Sequence, residues 1–312
     1  MFELTIFTAA CIINLIFLNL IFPVLKKNIV AIPNKRSSHY KTVPSAGGIS
    51  FTLIGTILSL TLGFWQPILI IPLAINGLID DLIVVKSGPK YLVQLFTSGL
   101  LMFFYPGFSP ILEQTNSILS VLIIGFILIS LTGFINLVNF MDGLDGLVGG
   151  CMGIIFITIS FTSDLQLIPF SGCLLAFLFF NWYPSKLFMG DIGSTFLGGL
   201  LCLIMLDSKD FIELFSKLLL VSPFLLDAII CILRRLMAGE PIFLPHKLHL
   251  FQRLHQAGLR HDQISSCYIF ATLIMSIFYY FKNLPLLIIS LIIIIFFGAL
   301  LEKFRAVNFR DR

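Results

Sequence analysis

Two adjacent carboxylates stand close to two lysines in the stretch GLIDDLIVVKSGPK. Asp80 and Asp81 end an apolar run, and Lys86 and Lys90 follow shortly after them. Neighbouring carboxylates at a membrane boundary repel one another and are costly to desolvate, so they need a cation, either a metal ion or a basic side chain. A solvated helix end with a charge patch is the alternative interpretation. The pattern favours a functional site, because ionisable residues near membrane depth are usually functional.

A second polar group lies in the stretch NLVNFMDGLDGLVGG. Its asparagines and aspartates recur at every third position, and they are Asn136, Asn139, Asp142 and Asp145. We expect this spacing to place them on one face of a helical turn. Carboxylate and amide oxygens at such a spacing suit Mg²⁺ or Mn²⁺. A polar loop with helix caps is the other interpretation.

A third acidic position, Asp191, lies between Gly190 and Gly193 immediately before an apolar run. It could cap the helix that begins there, or hold a cation while the helix amides face an anion. The presence of two other acidic groups favours metal binding.

Basic residues concentrate in two further segments. His246, His249 and Arg253 would share a face if their segment is helical, and imidazole and guanidinium groups suit sugar hydroxyls and phosphate oxygens. A surface amphipathic helix is the alternative. The earlier basic segment contains Lys35, Arg36, His39 and Lys41. It indicates either membrane topology alone or an anion-binding lip for a lipid phosphate or a nucleotide.

The composition decides what kind of chain carries these residues. Hydrophobic residues make up 58% and charged residues 12%, with a mean hydropathy of +1.02. Soluble domains carry roughly 25% charge, so a water-soluble globule and a disordered chain are both excluded. The apolar runs are continuous and do not alternate, which is unlike a β-barrel. We predict an all-α polytopic membrane protein, a single transmembrane domain over residues 1–312.

Eleven spans are predicted, at 3–25, 47–64, 66–84, 92–108, 117–138, 146–162, 165–183, 192–206, 211–233, 264–281 and 284–301. Most of the basic residues then fall on one side, namely Lys26, Lys27, Lys35, Arg36, Lys41, Lys86, Lys90, Lys186, Arg234, Arg235, Lys247, Arg253, Arg260, Lys303, Arg305, Arg310 and Arg312. The other side has Lys209, Lys217 and Lys282. The positive-inside rule predicts that the basic side is cytoplasmic, with the N-terminus outside and the C-terminus inside.

The polar groups therefore gather at the cytoplasmic end of a helical bundle. Oxygen ligands for Mg²⁺, cations for phosphates and a lipid-embedded setting indicate phosphoryl transfer between a soluble nucleotide and a lipid. A transporter or lipid-linked sugar flippase is the alternative, but it should carry polar residues near mid-membrane on several helices. Asp227 is the nearest such residue, and it could pair with Arg234. The six cysteines form no C-x-x-C pair, so their spacing indicates neither a disulfide framework nor a zinc site.

Five strings carry a resemblance to a known family, in the family's order over roughly residues 30–262: PNKRSSHYKTVPSAGG, GLIDDLIVVKSGPKYLVQ, NLVNFMDGLDGL, FMGDIGSTFLGG and PHKLHLFQRLHQAG. The chain resembles the polyprenyl-phosphate N-acetylhexosamine-1-phosphate transferases (glycosyltransferase family 4). That family is related to the muramoyl-pentapeptide phosphotransferase of peptidoglycan synthesis. The resemblance implies that a UDP-N-acetylhexosamine and undecaprenyl phosphate give undecaprenyl-diphospho-sugar and UMP, with Mg²⁺ or Mn²⁺ as cofactor.

The same resemblance implies individual roles. Asp80 and Asp81 would be the catalytic pair, with Asp80 preferred for deprotonating or orienting the lipid phosphate. The other implied roles are metal binding by Asn139 and Asp191, diphosphate contact by Lys90, uracil contact by Gly143 and Asp145, and a sugar-reading loop with His246, His249 and Arg253.

The form of the histidine loop narrows the resemblance. Many members read H-x-H-H, whereas here Leu250 follows His249. The H-x-x-H-x-x-Q form is similar to members that initiate O-antigen synthesis, which implies an O-antigen or similar glycan and the bacterial inner membrane. The expected partners are the UDP-sugar, undecaprenyl phosphate and membrane lipid, with no nucleic acid. The amino sugar and the oligomeric state stay open, with a homodimer among the options.

Overall fold

The computed structural model describes residues 1–33, 41–83, 85–105, 116–240 and 246–309. Within these ranges the chain forms twelve α-helices and one short antiparallel ribbon. The helices are α1 (Phe2–Asn28), α2 (Gly48–Thr61), α3 (Ile71–Leu82), α4 (Ser87–Phe104), α5 (Ser117–Met141), α6 (Leu147–Thr162), α7 (Ile168–Asn181), α8 (Gly190–Leu206), α9 (Phe211–Met237), α10 (Leu250–Gln256), α11 (His261–Tyr280) and α12 (Leu284–Arg305). The strands are β1 (Val30–Ala31) and β2 (Val43–Pro44). The predicted all-α class is confirmed.

Each of the eleven predicted spans overlaps one of these helices, and the additional helix α10 lies in the long loop before the tenth span. Among the described helices, α1, α5, α9, α11 and α12 are long and apolar enough to cross a membrane. Shorter apolar helices are α2, α6, α7 and α8. A chain in lipid must satisfy its own backbone N–H and C=O groups, and helices do so within each segment. The chain is therefore a polytopic helical membrane protein.

Helix α8 occupies the centre of the bundle. Its side chains from Ile192 to Leu206 are all buried, and α2, α3, α4 and α5 pack around it. Helix α12, in contrast, exposes apolar side chains such as Ile293 and Phe296, as expected of a surface against lipid. Because the first N–H groups of a helix have no partner within the helix, the start of α8 needs acceptors from elsewhere.

Asp81, at the end of α3, supplies those acceptors. Its Oδ1 accepts the N–H of Asp191 at 3.0 Å, and its Oδ2 accepts the N–H of Ile192 at 3.2 Å. Gly190 has a φ of +73°, and a Cβ there would lie 2.3 Å from Oδ2 of Asp81. At Gly77 a Cβ would lie 2.5 Å from the backbone of Asp191. These two glycines let α3 approach α8 closely enough for a cap that comes from another helix.

The segment that leads into α2 also holds the start of α8. Phe188 donates its N–H to the carbonyl of Pro44 at 2.9 Å, and Gly47 donates back to the carbonyl of Phe188 at 2.9 Å. Gly48 donates to the carbonyl of Met189 at 2.9 Å. The start of α8 is thus fixed from two sides.

The cap predicts a difference between the two neighbouring aspartates. Replacing Asp81→Ala should lower the free energy of unfolding by about 1–3 kcal/mol, because two N–H groups in a partly buried site lose their acceptor. Asp80→Ala is the matched control and should lower it less, since the cap remains. Thermal unfolding of the purified protein in detergent micelles measures both. A raised midpoint for Asp81→Ala would instead mean that repulsion from Asp191 outweighs the cap.

Candidate active site

Four helix ends meet at one polar cluster: the end of α3, the start of α4, the end of α5 and the start of α8. The ammonium of Lys90 pairs with Asp80 and lies 3.2 Å from Oδ2 of Asp191. The Nδ2 of Asn139 lies 3.2 Å from Oδ1 of the same Asp191. Asp80, Lys90, Asn139 and Asp191, which lie far apart in the chain, therefore form one site. We call these four residues, together with Asp81 and Asp142, the carboxylate cluster.

The two adjacent aspartates face different partners, as expected for neighbouring positions on a helix. Asp80 accepts the N–H of Val85 at 2.7 Å and pairs with Lys90. Asp81 is engaged with the start of α8. Asp80 therefore directs its charge toward Lys90, whereas Asp81 sets the position of the helix that carries Asp191.

The four polar residues that recur at every third position after Asn136 do not share one helix face. Helix α5 ends at Met141, so Asp142 and Asp145 lie in the turn that follows it. Asn136 exchanges hydrogen bonds with Gln94 at 2.8 and 3.2 Å, which joins α4 to α5. Only Asn139 reaches the cluster from the helix, and Ser194 accepts from its Nδ2 at 2.8 Å. The expectation of a common face was wrong, because the helix ends at Met141 and Asp142 and Asp145 lie beyond it.

The cluster carries an excess of negative charge. Burial raises the pKa of Asp142 well above its ordinary value. The neighbouring carboxylates raise it further, and they are Asp191, Asp81 and Asp145. Among the described residues, Lys90 is the cation that contacts the cluster. Several carboxylates beside a side-chain amide and one lysine form a donor set that fits a hard divalent cation such as Mg²⁺.

The two residues predicted to contact uracil lie in the turn after α5. Asp145 is buried, accepts the N–H of Ser185 at 3.1 Å and lies 3.2 Å from Nδ1 of His261. A Cβ at Gly143 would lie 2.8 Å from the ring of Phe251. The structure shows Asp145 fastening this turn to α11. Its role at uracil, and that of Gly143, stay predictions.

Arg253 of the histidine loop is buried and makes contacts that fix the C-terminal segment. Its guanidinium donates to Oε1 of Glu302 at 2.7 Å and to the carbonyl of Val307 at 3.1 Å. Arg234 binds the same Glu302, so it does not pair with Asp227 as the sequence suggested. The predicted part of Arg253 in reading the sugar stays a prediction, and the structure shows it supporting the loop.

The two histidines of the loop lie side by side, with ring centroids 4.9 Å apart. Burial and then the charge of Arg235 lower the pKa of His249 to about 4, so this ring is neutral at neutral pH. Asp227 holds the start of α10 by accepting the N–H groups of Leu250 at 2.6 Å and Phe251 at 3.0 Å. In the earlier basic segment, Lys35, Arg36 and His39 lie outside the described residues.

Sequence reasoning missed two functions that only the fold shows. Asp81 caps α8 through Asp191, which lies 110 positions further along the chain. Asp227 caps α10 through residues 23 and 24 positions further along. For Asp81 the available signal is a carboxylate at the end of an apolar helix together with a second helix, α8, that starts without a capping side chain of its own.

Comparisons with known proteins place the sequence among glycosyl transferases. The profile of glycosyl transferase family 4 matches residues 47–209. The "Probable undecaprenyl-phosphate N-acetylglucosaminyl 1-phosphate transferase" of Bacillus subtilis (strain 168) is 28% identical over 287 residues, covering 81% of this chain and 78% of the relative. The decaprenyl-phosphate N-acetylglucosaminephosphotransferase of Mycobacterium leprae is 26% identical, covering 75% and 72%. The phospho-N-acetylmuramoyl-pentapeptide-transferase of Enterococcus faecalis is 35% identical, covering 52% and 60%.

The matched region runs from the start of α2 to the connection before α9, and it contains Asp80, Asp81, Lys90, Asn139, Asp142 and Asp191. The family match thus covers every residue of the carboxylate cluster and more than half of the chain. The protein belongs to glycosyl transferase family 4.

Proposed function

We propose that the protein transfers an N-acetylhexosamine-1-phosphate from a UDP-sugar to undecaprenyl phosphate. An oxygen of the lipid phosphate bonds to the phosphorus that carries the sugar, and the bond from that phosphorus to the oxygen bridging to the other phosphate breaks. The products are undecaprenyl-diphospho-sugar and UMP. The observation that carries the proposal is the carboxylate cluster with Lys90, placed at the ends of apolar helices. The names of the relatives, which act on polyprenyl phosphates, support it.

The residues present fit Mg²⁺, with Mn²⁺ as the alternative ion. Asp191 and Asn139 would hold it, and Asp142 adds a further carboxylate nearby. When bound, the ion would neutralise charge on the diphosphate. Asn139 already lies against Asp191, and its amide group has an oxygen as well as the NH₂, so it can present an acceptor to a cation.

Lys90 and Asp80 are suited to the acceptor phosphate. The Lys90 ammonium is only partly exposed and is placed between two carboxylates, so its direction is fixed before any phosphate arrives. Its positive charge would attract the phosphate, and Asp80 would orient the ammonium and accept a proton from a monoanionic acceptor. Asp81 would act through the position of α8.

The lipid tail has a suitable path beside this lysine. An apolar groove between α4 and α5 is lined by Tyr91, Leu95, Ile129 and Thr132. Leu95 and Ile129 are exposed on the outer face of the bundle, where lipid lies. Because Tyr91 follows Lys90 directly, a prenyl chain in the groove would place its phosphate near that ammonium.

The UDP-sugar, which donates the sugar phosphate, would bind on the other side of the carboxylate cluster. In this proposal the turn with Gly143 and Asp145 contacts uracil, and the segment with His246, His249 and Arg253 reads the sugar. The product would initiate a cell-surface glycan, O-antigen or a similar polymer. The transporter alternative has less support, because the described residues of the cluster lie at helix ends.

Transfer can be measured on purified protein with a panel of radiolabelled UDP-N-acetylhexosamines, undecaprenyl phosphate and Mg²⁺. We expect labelled lipid and an equal amount of UMP from at least one donor. Asp191→Asn should reduce turnover by about 100-fold or more, because charge neutralisation on the diphosphate is lost. Asp164→Asn, which changes an exposed aspartate at the other end of the bundle, should retain activity. Full activity of Asp191→Asn in EDTA would contradict the metal role.

We also propose that the carboxylate cluster faces the cytoplasm of the bacterial inner membrane, with the N-terminus outside. The basic asymmetry supports this orientation. In a Cys267→Ser background, which removes the exposed native cysteine, single cysteines can be placed at exposed Lys186 and Asp164. A membrane-impermeant maleimide should label Asp164→Cys in intact spheroplasts and Lys186→Cys only after permeabilisation. The reverse pattern would overturn the orientation. The basic segment near Ser38 lies outside the described residues, so Lys186 serves as the inner position.

A further inference from the structure

A carboxylate near the end of α12 joins two arginines that come from different helices. Oε1 of Glu302 accepts the guanidinium of Arg253 in α10 at 2.7 Å, and Oε2 accepts that of Arg234 in α9 at 3.0 Å. The ring of Phe309, which follows α12, has its centroid 5.5 Å from Cζ of Arg253 and 5.6 Å from Cζ of Arg234. Guanidinium groups bind carboxylates and aromatic faces in this way. The end of α12 and the residues after it therefore hold both arginines.

The guanidinium of Arg253 is fully engaged within the protein. Besides its ion pair with Glu302, its Nε donates to the carbonyl of Leu248 at 3.1 Å, and its Nη1 donates to the carbonyl of Val307 at 3.1 Å. The N–H of Val307 donates back to the carbonyl of Arg253 at 3.4 Å. All three nitrogens of the group thus have protein partners. This geometry favours a role for Arg253 through the loop that it holds, instead of direct contact with a sugar.

The loop held by Arg253 lies beside the carboxylate cluster. The ring of His249 faces that of Phe140, with centroids 6.4 Å apart, and Phe140 directly follows Asn139 of the cluster. The ring of Phe251 lies 2.8 Å from the place that a Cβ at Gly143 would take. A displacement of the loop would therefore reach both the end of α5 and the turn that follows it.

The two arginines depend on Glu302 to different degrees. The side chain of Arg234 is 40% exposed, whereas that of Arg253 is 4% exposed. Without the carboxylate, Arg234 can turn to water and loses little. The charge of Arg253 would stay buried without compensation, which is strongly unfavourable. The carboxylate of Glu302 therefore matters most for the arginine that belongs to the loop.

We propose that Glu302 is a positioning residue for the UDP-sugar. It holds Arg253, and with it residues 246–253, in the place where that segment reads the sugar, and it acts without touching the substrate itself. The inference rests on the proposed function, because the segment's part in reading the sugar belongs to that proposal. Glu302 and Arg253 both lie beyond residues 47–209, which the family profile matches. Recognition of the sugar thus depends on α12 as well as on the matched helices.

The first test compares the two substrates of the full-length protein, with the UDP-N-acetylhexosamine that gives labelled lipid in the donor panel. Glu302→Gln keeps the size of the side chain and removes its charge. The KM for the UDP-sugar should rise by about tenfold, while the KM for undecaprenyl phosphate stays within about twofold. A general loss of folded protein would instead lower the rate and leave both KM values unchanged. Asp262→Asn neutralises the carboxylate that pairs with exposed Arg260, and this matched control should change neither KM.

The second test does not require activity. Hydrogen–deuterium exchange in detergent should be faster over residues 246–256 in Glu302→Gln than in the wild type, with α8 unchanged, because the loop loses its tie to α12. Phe309→Ala removes the ring and keeps the ion pairs, so it should speed exchange in the same segment even if Glu302→Gln folds poorly. Asp262→Asn should exchange like the wild type.

The outcomes separate this inference from the proposed function. A wild type that makes no labelled lipid contradicts the proposed function, and the exchange measurement still decides whether Glu302 holds the loop. The inference is overturned if exchange over residues 246–256 is unchanged in both Glu302→Gln and Phe309→Ala. It is also overturned if an active Glu302→Gln keeps the wild-type KM for the UDP-sugar, or if both KM values rise equally.

Discussion

The contact between the Asp81 carboxylate and the start of α8 is the interaction on which the site depends. A helix that runs through the centre of a membrane bundle cannot rely on water for its first N–H groups, so a carboxylate from α3 satisfies two of them. The same contact sets where Asp191 stands. Asn139 and Lys90, which come from other helices, then meet Asp191 at 3.2 Å each.

This arrangement concentrates negative charge where apolar helices end. The first turn of a helix favours anions, so α8 stabilises the carboxylate of Asp81. Asp191 also lies in this first turn, whereas Asp80 and Asp142 lie outside it. Lys90 is the lysine that contacts the cluster among the described residues. In the proposed function, a site built in this way would bind a cation and, through it, a phosphate. That property is what a transfer between a nucleotide-sugar and a lipid phosphate would use.

The helices could be predicted from the sequence because each long, continuous apolar run by itself indicates a membrane-spanning helix. The sequence also predicted that the acidic groups lie at one end of the bundle, since alternating spans place every second connection on the same side. The end of α5 was predicted less well, because the three-residue spacing of the polar side chains continues past Met141 while the helix does not. Local spacing describes which residues could share a face, not whether the helix persists.

The partners of buried charged groups could not be predicted from the sequence. Asp81 and Asp227 each cap a helix distant in the chain, and Arg234 binds Glu302 from α12. The residues next to them in the sequence do not indicate the partner, because the pairing arises from how the helices pack.

The central claim is that the carboxylate cluster is a divalent cation site positioned by α8. Mn²⁺ binding to the purified protein, followed through the electron paramagnetic resonance signal of free Mn²⁺, tests it without substrate. The account predicts about one site per chain that Mg²⁺ displaces, lost in Asp191→Asn and kept in Asp164→Asn. Equal binding by the wild type and Asp191→Asn would contradict it.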